Sequence, residues 1–347
     1  MSADFPKILA RLIERSAVRE PPIPGDVAEA FESILTGLWT PVQVGAFAVA
    51  LRMIGDSADT IAEAAGVGRR AMTAVEHDLP VVVDTCGTGG DGAHTLNISS
   101  AAAVLVAACG LPVAKHGNRS ASSRCGSADV FEAMGIPLDV PTAKQGQILR
   151  DAGIAFLFAP AHHPALRHAS QARGELKTRT IFNVLGPLLN PARATHSLVG
   201  VYDDRLRPIV ARALGRLGVR QAWVVYGEDG LDEVSPCGPT RVSHLTPAGE
   251  VRELVVTPED FGIARLPLSA LAGGNAPDNA LALAAILDGH AHPARDAAIV
   301  NAAAALAVVT GELPRICAER VRTVLDDGAA RRTFDRWKTL ALEARGA

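Results

Sequence analysis

Leu79-Pro80-Val81-Val82-Val83-Asp84-Thr85-Cys86-Gly87-Thr88-Gly89-Gly90-Asp91-Gly92, followed by Asn97-Ile98-Ser99-Ser100 and the apolar run Ala101–Ala108, decides how this chain folds. A short β-branched run ends in a glycine-rich loop, and the loop ends at the start of a helix. Glycines at 87, 89, 90 and 92 let backbone N–H groups turn inward with no Cβ in the way, and the helix N-terminus beyond adds positive partial charge. Such a loop suits a phosphate or pyrophosphate; the rival reading is a surface turn. Gly87, Gly89 and Gly92 formally satisfy GxGxxG. However, the helix opens only near Asn97, and the next strand ends at Lys115-His116 rather than in an acid, which speaks against a dinucleotide site.

The pattern repeats along the chain. Pro112–Lys115 reads as a strand, His116–Gly126 as a loop, and Ser127–Met134 as a helix capped by Ser127. Further strands are expected at Ile154–Ala159, His196–Val201, Ala222–Tyr226, Arg241–Leu245 and Val251–Val256. Helices are expected at Lys144–Asp151, Pro208–Leu217, Ala280–Asp288 and Ala297–Val309. This alternation predicts an α/β fold with a largely parallel central sheet flanked by helices, whose ligands sit at the C-terminal ends of the strands. Before Leu79 the spacing is helical throughout, as in Ile8, Leu9, Leu12 and Ile13 and in Phe47, Ala50, Leu51 and Ile54, with no strand. Pro164–Pro191 breaks the alternation and can rejoin those N-terminal helices as a small discontinuous α-helical domain.

Composition narrows the function. The 347 residues are 48% hydrophobic and 20% charged with a net charge of −3, which excludes a disordered chain and a protein-wide nucleic-acid footprint. Charged residues interrupt every apolar run near the N-terminus, so no signal peptide is expected, and no run is long enough to span a bilayer. Five cysteines without a CxxC pair indicate neither a disulfide framework nor a zinc cluster, so a cytoplasmic location is expected.

Three other stretches bear on chemistry. Lys115-His116-Gly117-Asn118-Arg119-Ser120-Ala121-Ser122-Ser123-Arg124-Cys125-Gly126-Ser127 gathers cations and hydroxyls where a sugar phosphate needs a second wall. Asp232-Glu233, after another strand, offers hard oxygen ligands suited to Mg²⁺. An isolated acidic pair is ordinarily surface charge; its place opposite the phosphate loops raises it. Arg173, Lys177 and Arg179 can present one arginine to a substrate carboxylate, although an exposed helix face explains them equally well. His162-His163 reads as structural. No GxSxG elbow or cysteine signature suggests a covalent nucleophile.

Gly87-Thr88-Gly89-Gly90-Asp91, Asn97–Ser100, Lys115–Ser123 with Gly126-Ser127-Ala128-Asp129, Arg179-Thr180-Ile181-Phe182-Asn183-Val184-Leu185-Gly186-Pro187 and Gly230-Leu231-Asp232-Glu233 together resemble the anthranilate phosphoribosyltransferase family of tryptophan biosynthesis. The resemblance implies a helical domain, 1–74 completed by about 164–191, hinged to an α/β domain, 75–163 and 192–347. It implies transfer of the phosphoribosyl group of phosphoribosyl pyrophosphate to the amine of anthranilate, with Mg²⁺, in a homodimer formed through the helical part. By motif matching, the donor would be held by Gly87, Gly90, Asp91, Thr95, Asn97, Ile98, Ser99, Ser100, the stretch Lys115, His116, Gly117, Asn118, Arg119, Ser120, Ala121, Ser122 and Ser123, and Ser127. Anthranilate would meet Gly87, Asn118 and Arg173, and the metal Ser99, Asp232 and Glu233. His116 stays open between an acceptor contact and loop packing. The chain departs from the usual family pattern at Ser100, at Gln171-Ala172, at Lys177, where Gly is usual, and at Leu189. The competing functions are a pyrimidine nucleoside phosphorylase and a catalytically silent nucleic-acid-binding relative.

Overall fold

Four helices form the N-terminal part of the computed structural model, which describes residues 3–120 and 124–346. These are α1 (Phe5–Val18), α2 (Asp26–Leu35), α3 (Pro41–Ile54) and α4 (Ala58–Ala71). Their starts follow from short-range chemistry. Asp4 accepts the Lys7 N–H at 3.3 Å, Thr40 and Gln43 form a reciprocal capping box ahead of Pro41, and Ser57 accepts the Thr60 N–H at 3.1 Å.

The rest of the chain alternates. β1 (Val83–Asp84) leads through the glycine loop to α5 (Ile98–Ala108), and β2 (Val113–Gly117) leads to α6 (Ser127–Ala133) and α7 (Gln145–Ala152). β3 (Ile154–Phe158) is followed by the single turn α8 (Ala159–His162) and by α9 (Ser170–Leu176). β4 (His196–Gly200) and α10 (Leu206–Arg216) precede β5 (Gln221–Gly227), β6 (Thr240–Leu245) and β7 (Val251–Val256). Four helices then close the chain: α11 (Ala276–Leu287), α12 (Arg295–Thr310), α13 (Pro314–Asp326) and α14 (Ala329–Gly346).

The seven strands form one sheet in the order β3-β2-β1-β4-β5-β6-β7. The first five strands in that order run parallel, while β6 and β7 run antiparallel to their neighbours. The expected alternation therefore stops at β5: the short turn Thr246–Glu250, closed by a 2.8 Å backbone bond, can only make a hairpin. The first strand is also shorter than the apolar run suggests, and Gly126 rather than Ser127 is the residue at the α6 cap. The apolar pattern does not announce α13 and α14. They cover α5 and α12, whose Ala101–Ala103 and Ala302–Ala305 are fully buried, so small side chains let these helices pack closely.

Pro164–Pro191 folds as short helical turns and α9, and it shares an apolar core with α1–α4. Phe182 lies 5.3 Å from Phe31, which lies 6.0 Å from Phe47, and Leu189 would meet a Cβ placed on Gly68 of α4 at 2.7 Å. The same core runs on to α10 and one face of β4 and β5. Lys177, which ends α9, adopts the left-handed conformation with φ 45°. A side chain there is strained, so Lys177→Gly should stabilise the protein by about 1 kcal/mol; urea unfolding that shows no gain would contradict this.

Candidate active site

The glycine loop leaves the C-terminal end of β1 between β2 and β4. Gly89, Gly90 and Gly92 have φ of 66°, 83° and 78°, so successive amides turn the same way without Cβ strain. The loop is held from two sides. Thr88 N–H donates to the Gly200 carbonyl at the end of β4 at 2.8 Å, and the Thr88 hydroxyl accepts the Tyr202 N–H at 3.1 Å. From the helical side, the Arg179 guanidinium donates to the Gly90 carbonyl and lies 4.1 Å from the Tyr202 ring centroid. The last part of the loop is pinned by the segment after β7: Leu96 N–H donates to Leu271 at 2.8 Å and Thr95 bridges Ala272.

Asp232 and Glu233 follow β5 and come against this loop. A Cβ on Gly87 would sit 3.2 Å from Asp232 Oδ2, a tight fit, and one on Gly200 would sit 1.5 Å from the Asp232 carbonyl oxygen, so Gly200 requires glycine. Burial, then the charges of Glu233 and Asp91, push the Asp232 carboxyl well above its usual range, with the Gly89 amide pulling the other way. Burial also raises Glu233, opposed by Lys115, raised further by Asp91 and lowered by the Ser99 amide. Asp91, Asp232 and Glu233 thus form a cluster of hard oxygen donors whose joint ionisation needs an added positive charge. No arginine pairs with any of the three among the described residues, and this donor set fits Mg²⁺.

Below the loop, Lys115 is buried and donates from Nζ to the Thr85 carbonyl at 3.0 Å. Asp84 accepts from Asn190 Nδ2 at 2.7 Å and from the His116 N–H at 3.2 Å; burial raises its pKa to about 6 against the pull of Lys115 and these donors. Asp84, Cys86 and His116 offer ligand atoms within 4.8 Å of one another. Burial and Asp84 push the Cys86 thiol up to about 12, so it stays protonated and is a poor ligand or nucleophile.

The second loop is organised by Asp129, whose Oδ2 accepts the N–H groups of Gly126 at 2.9 Å and Ser120 at 3.1 Å. Arg119 is drawn outward to Asp129 at 2.9 Å and Glu132 at 2.8 Å. The Ser127 hydroxyl lies 3.5 Å from the Asn118 carbonyl, and Asn118 Oδ1 accepts the Arg119 N–H at 2.7 Å. Ala121, Ser122 and Ser123 lie outside the described residues.

Several motif residues are turned away from the loop. Ile98 is buried in the core, leaving only its backbone for a ligand, and the fully buried Ser100 hydroxyl has no partner among the described residues. The His116 ring meets Gly186 O at 3.1 Å through Nδ1 and stacks edge-on to His163 at 5.1 Å, which gives it a packing role between β2 and the 164–191 segment. His162 Nδ1 meets Thr73 O at 2.8 Å. Arg173 lies over the Phe182 ring at 5.7 Å, and no hydrogen bond or ion pair joins it to either loop among the described residues. Among the described residues, Arg179 is the cation of that segment that reaches the glycine loop, while Arg173 is the one that motif matching gives to anthranilate.

Three buried asparagines escape the sequence reading. Asn301 on α12 accepts the Val234 N–H at 2.9 Å and donates to the Val234 carbonyl at 3.0 Å, which fixes the backbone next to Glu233. Asn279 donates to Asn97 Oδ1 at 2.9 Å and accepts the Gly274 N–H at 2.7 Å. Asn190 joins Asp84 to the Ala114 carbonyl at 2.8 Å. A lone Asn inside the alanine run Ala297–Val308 is the available signal.

Known proteins share this arrangement. The family described as glycosyl transferase family, a/b domain, matches residues 79–331, and the one described as glycosyl transferase family, helical bundle domain, matches residues 6–72. The anthranilate phosphoribosyltransferase of Myxococcus xanthus is 48% identical over 300 residues, covering 86% of this chain and 88% of its own. That of Moorella thermoacetica is 49% identical over 306 residues, covering 88% and 90%. Among solved structures, the Thermus thermophilus enzyme superposes with a TM-score of 0.89 at 36% identity, covering 96% of this chain and 99% of that one. The Saccharomyces cerevisiae enzyme in complex with PRPP and Mg gives 0.91 at 28% identity and covers 99% of each. With the glycine loop and the acidic segment in one architecture and 48–49% identity to these enzymes over most of its length, the chain belongs to the anthranilate phosphoribosyltransferase family.

Proposed function

We propose that this chain transfers the 5-phosphoribosyl group of phosphoribosyl pyrophosphate to the amine of anthranilate, giving N-(5-phosphoribosyl)anthranilate and pyrophosphate, a step of L-tryptophan biosynthesis. The observation that carries this is the meeting of the Gly87–Gly92 amides with Asp91, Asp232 and Glu233 at one strand edge. Membership of the family supports it.

An aromatic amine is already neutral near pH 7, so the barrier lies in separating pyrophosphate from an oxocarbenium-like ribose carbon. The loop amides face the departing charge, and Arg179 keeps the loop in that shape through the Gly90 carbonyl. Asp232 and Glu233, with Ser99 and beside Asp91, would hold a Mg²⁺ ion, which would supply positive charge to neutralise the pyrophosphate. Asn118 and Arg173 are assigned to the acceptor, and transfer is direct, with no covalent ribosyl-enzyme.

The helical domain is assigned to 1–74 with 164–191, and its shared core around Phe31 and Phe182 supports that division. A homodimer through this domain is supported by exposed apolar side chains on its helices, Val42 at 81% and Met53 at 68% among them. Five free cysteines suit the cytoplasm.

The test is to mix the protein with Mg²⁺, phosphoribosyl pyrophosphate and anthranilate and follow the loss of anthranilate fluorescence. Loss of signal is expected; no reaction here together with phosphorolysis of thymidine or uridine would overturn the assignment. Arg173→Ala should raise the anthranilate KM by about tenfold and leave the donor KM unchanged.

A further inference from the structure

At the opposite end of the strands, where β4 and β5 begin, a cavity of about 720 Å³ opens. His196 and Gln221, the first residues of those strands, line it together with Leu245, Arg212 and Arg216 of α10, and Arg220. Among the described residues, no aspartate or glutamate lines it. His196 and Gly200 stand at opposite ends of one strand, about 13 Å apart at the usual rise per residue. The cavity is therefore separate from the glycine loop.

The three guanidiniums are only partly accounted for by structure. Arg216 pairs with Asp59 of α4 and serves the C-terminal turn of α10, and Arg220 donates to the Pro80 carbonyl at 3.2 Å. Arg212 is exposed and makes no hydrogen bond or ion pair among the described residues. A concave site lined by one sign of charge focuses potential, and the planar fork of arginine matches carboxylate or phosphate. The volume is that of a metabolite site. Burial and the charge of Arg220 hold the His196 imidazole below its usual pKa, so it adds a neutral polar group beside the arginines.

We propose that this cavity binds a small anion bearing a phosphate or carboxylate head, held by Arg212, Arg216 and Arg220, at a site distinct from that of the substrates. The anion competes with Asp59 for Arg216, and Asp59 lies on α4, so occupancy is felt by the helical part of the protein.

The test titrates inorganic phosphate, and in a separate arm citrate, calorimetrically into the full chain. The wild type should show a binding event that weakens by about tenfold or more in Arg212→Ala/Arg220→Ala, while that variant keeps wild-type turnover. Asp59→Asn, which frees Arg216, should tighten the event by about threefold. Tighter phosphate binding identifies a phosphoryl ligand, and tighter citrate binding a polycarboxylate. Should the double variant misfold, Arg212→Gln alone carries the same expectation. Equal anion binding in wild type and variants, or no binding of either anion to the wild type, would overturn the proposal.

Discussion

Asp232→Asn combined with Glu233→Gln is expected to lower turnover by about a thousandfold without destabilising the metal-free protein. The two readouts separate a metal-holding role from a structural one. Folding raises both pKa values, so the stability these groups contribute is fully present below the ordinary carboxylate range near 4 and is lost as pH rises through their folded-state values. At pH 8 the metal-free wild type therefore carries the penalty of two crowded carboxylates whose ionisation burial opposes, and the neutral amides relieve it. Thermal unfolding at pH 8 in a chelator should show the double variant at least as stable as the wild type. A variant that loses stability and activity together would mean that the pair holds the fold, not the metal.

Gly200→Ala is expected to have the second large effect, although Gly200 carries no functional group. Its Cβ would stand 1.5 Å from the Asp232 carbonyl oxygen and 2.3 Å from the carbonyl carbon, so strand β4 and the acidic segment must separate. The Gly200 carbonyl also accepts the Thr88 N–H, so the glycine loop moves with it. A loss of about 3 kcal/mol in stability and of about a hundredfold in kcat/KM is expected from urea unfolding and steady-state kinetics. An alanine variant with wild-type values for both would show that the loop and the carboxylates are not coupled through β4.

The difference between what the residues disclose and what only the structure shows follows from range. The glycine loop, the strand before it and the helix after it are local patterns of period and φ requirement, so Val83, Gly89 and Ile98 can be placed from their neighbours alone. The direction of β6 and β7 is not written in their alternation, and only the tight turn at Thr246–Glu250 betrays it. α13 and α14 carry many charges, with arginine and glutamate along their outer faces, and so lack the apolar density that marks Ala297–Val308. Asn301 acts on backbone 67 residues away and Asn190 on a carboxylate 106 residues away, separations at which a single sequence holds no record of contact. Arg173 and Arg179 lie six residues apart in one motif; that Arg179 reaches the Gly90 carbonyl depends on how the 164–191 segment folds back over the sheet edge.

Pyrophosphate is the group the loop and the acidic cluster are held to receive together, so its binding tests their joint role most directly. Calorimetric titration of pyrophosphate into the wild-type protein should give tight binding with Mg²⁺, weaker by about a hundredfold or more in a chelator. Equally tight binding with and without the metal would contradict the account.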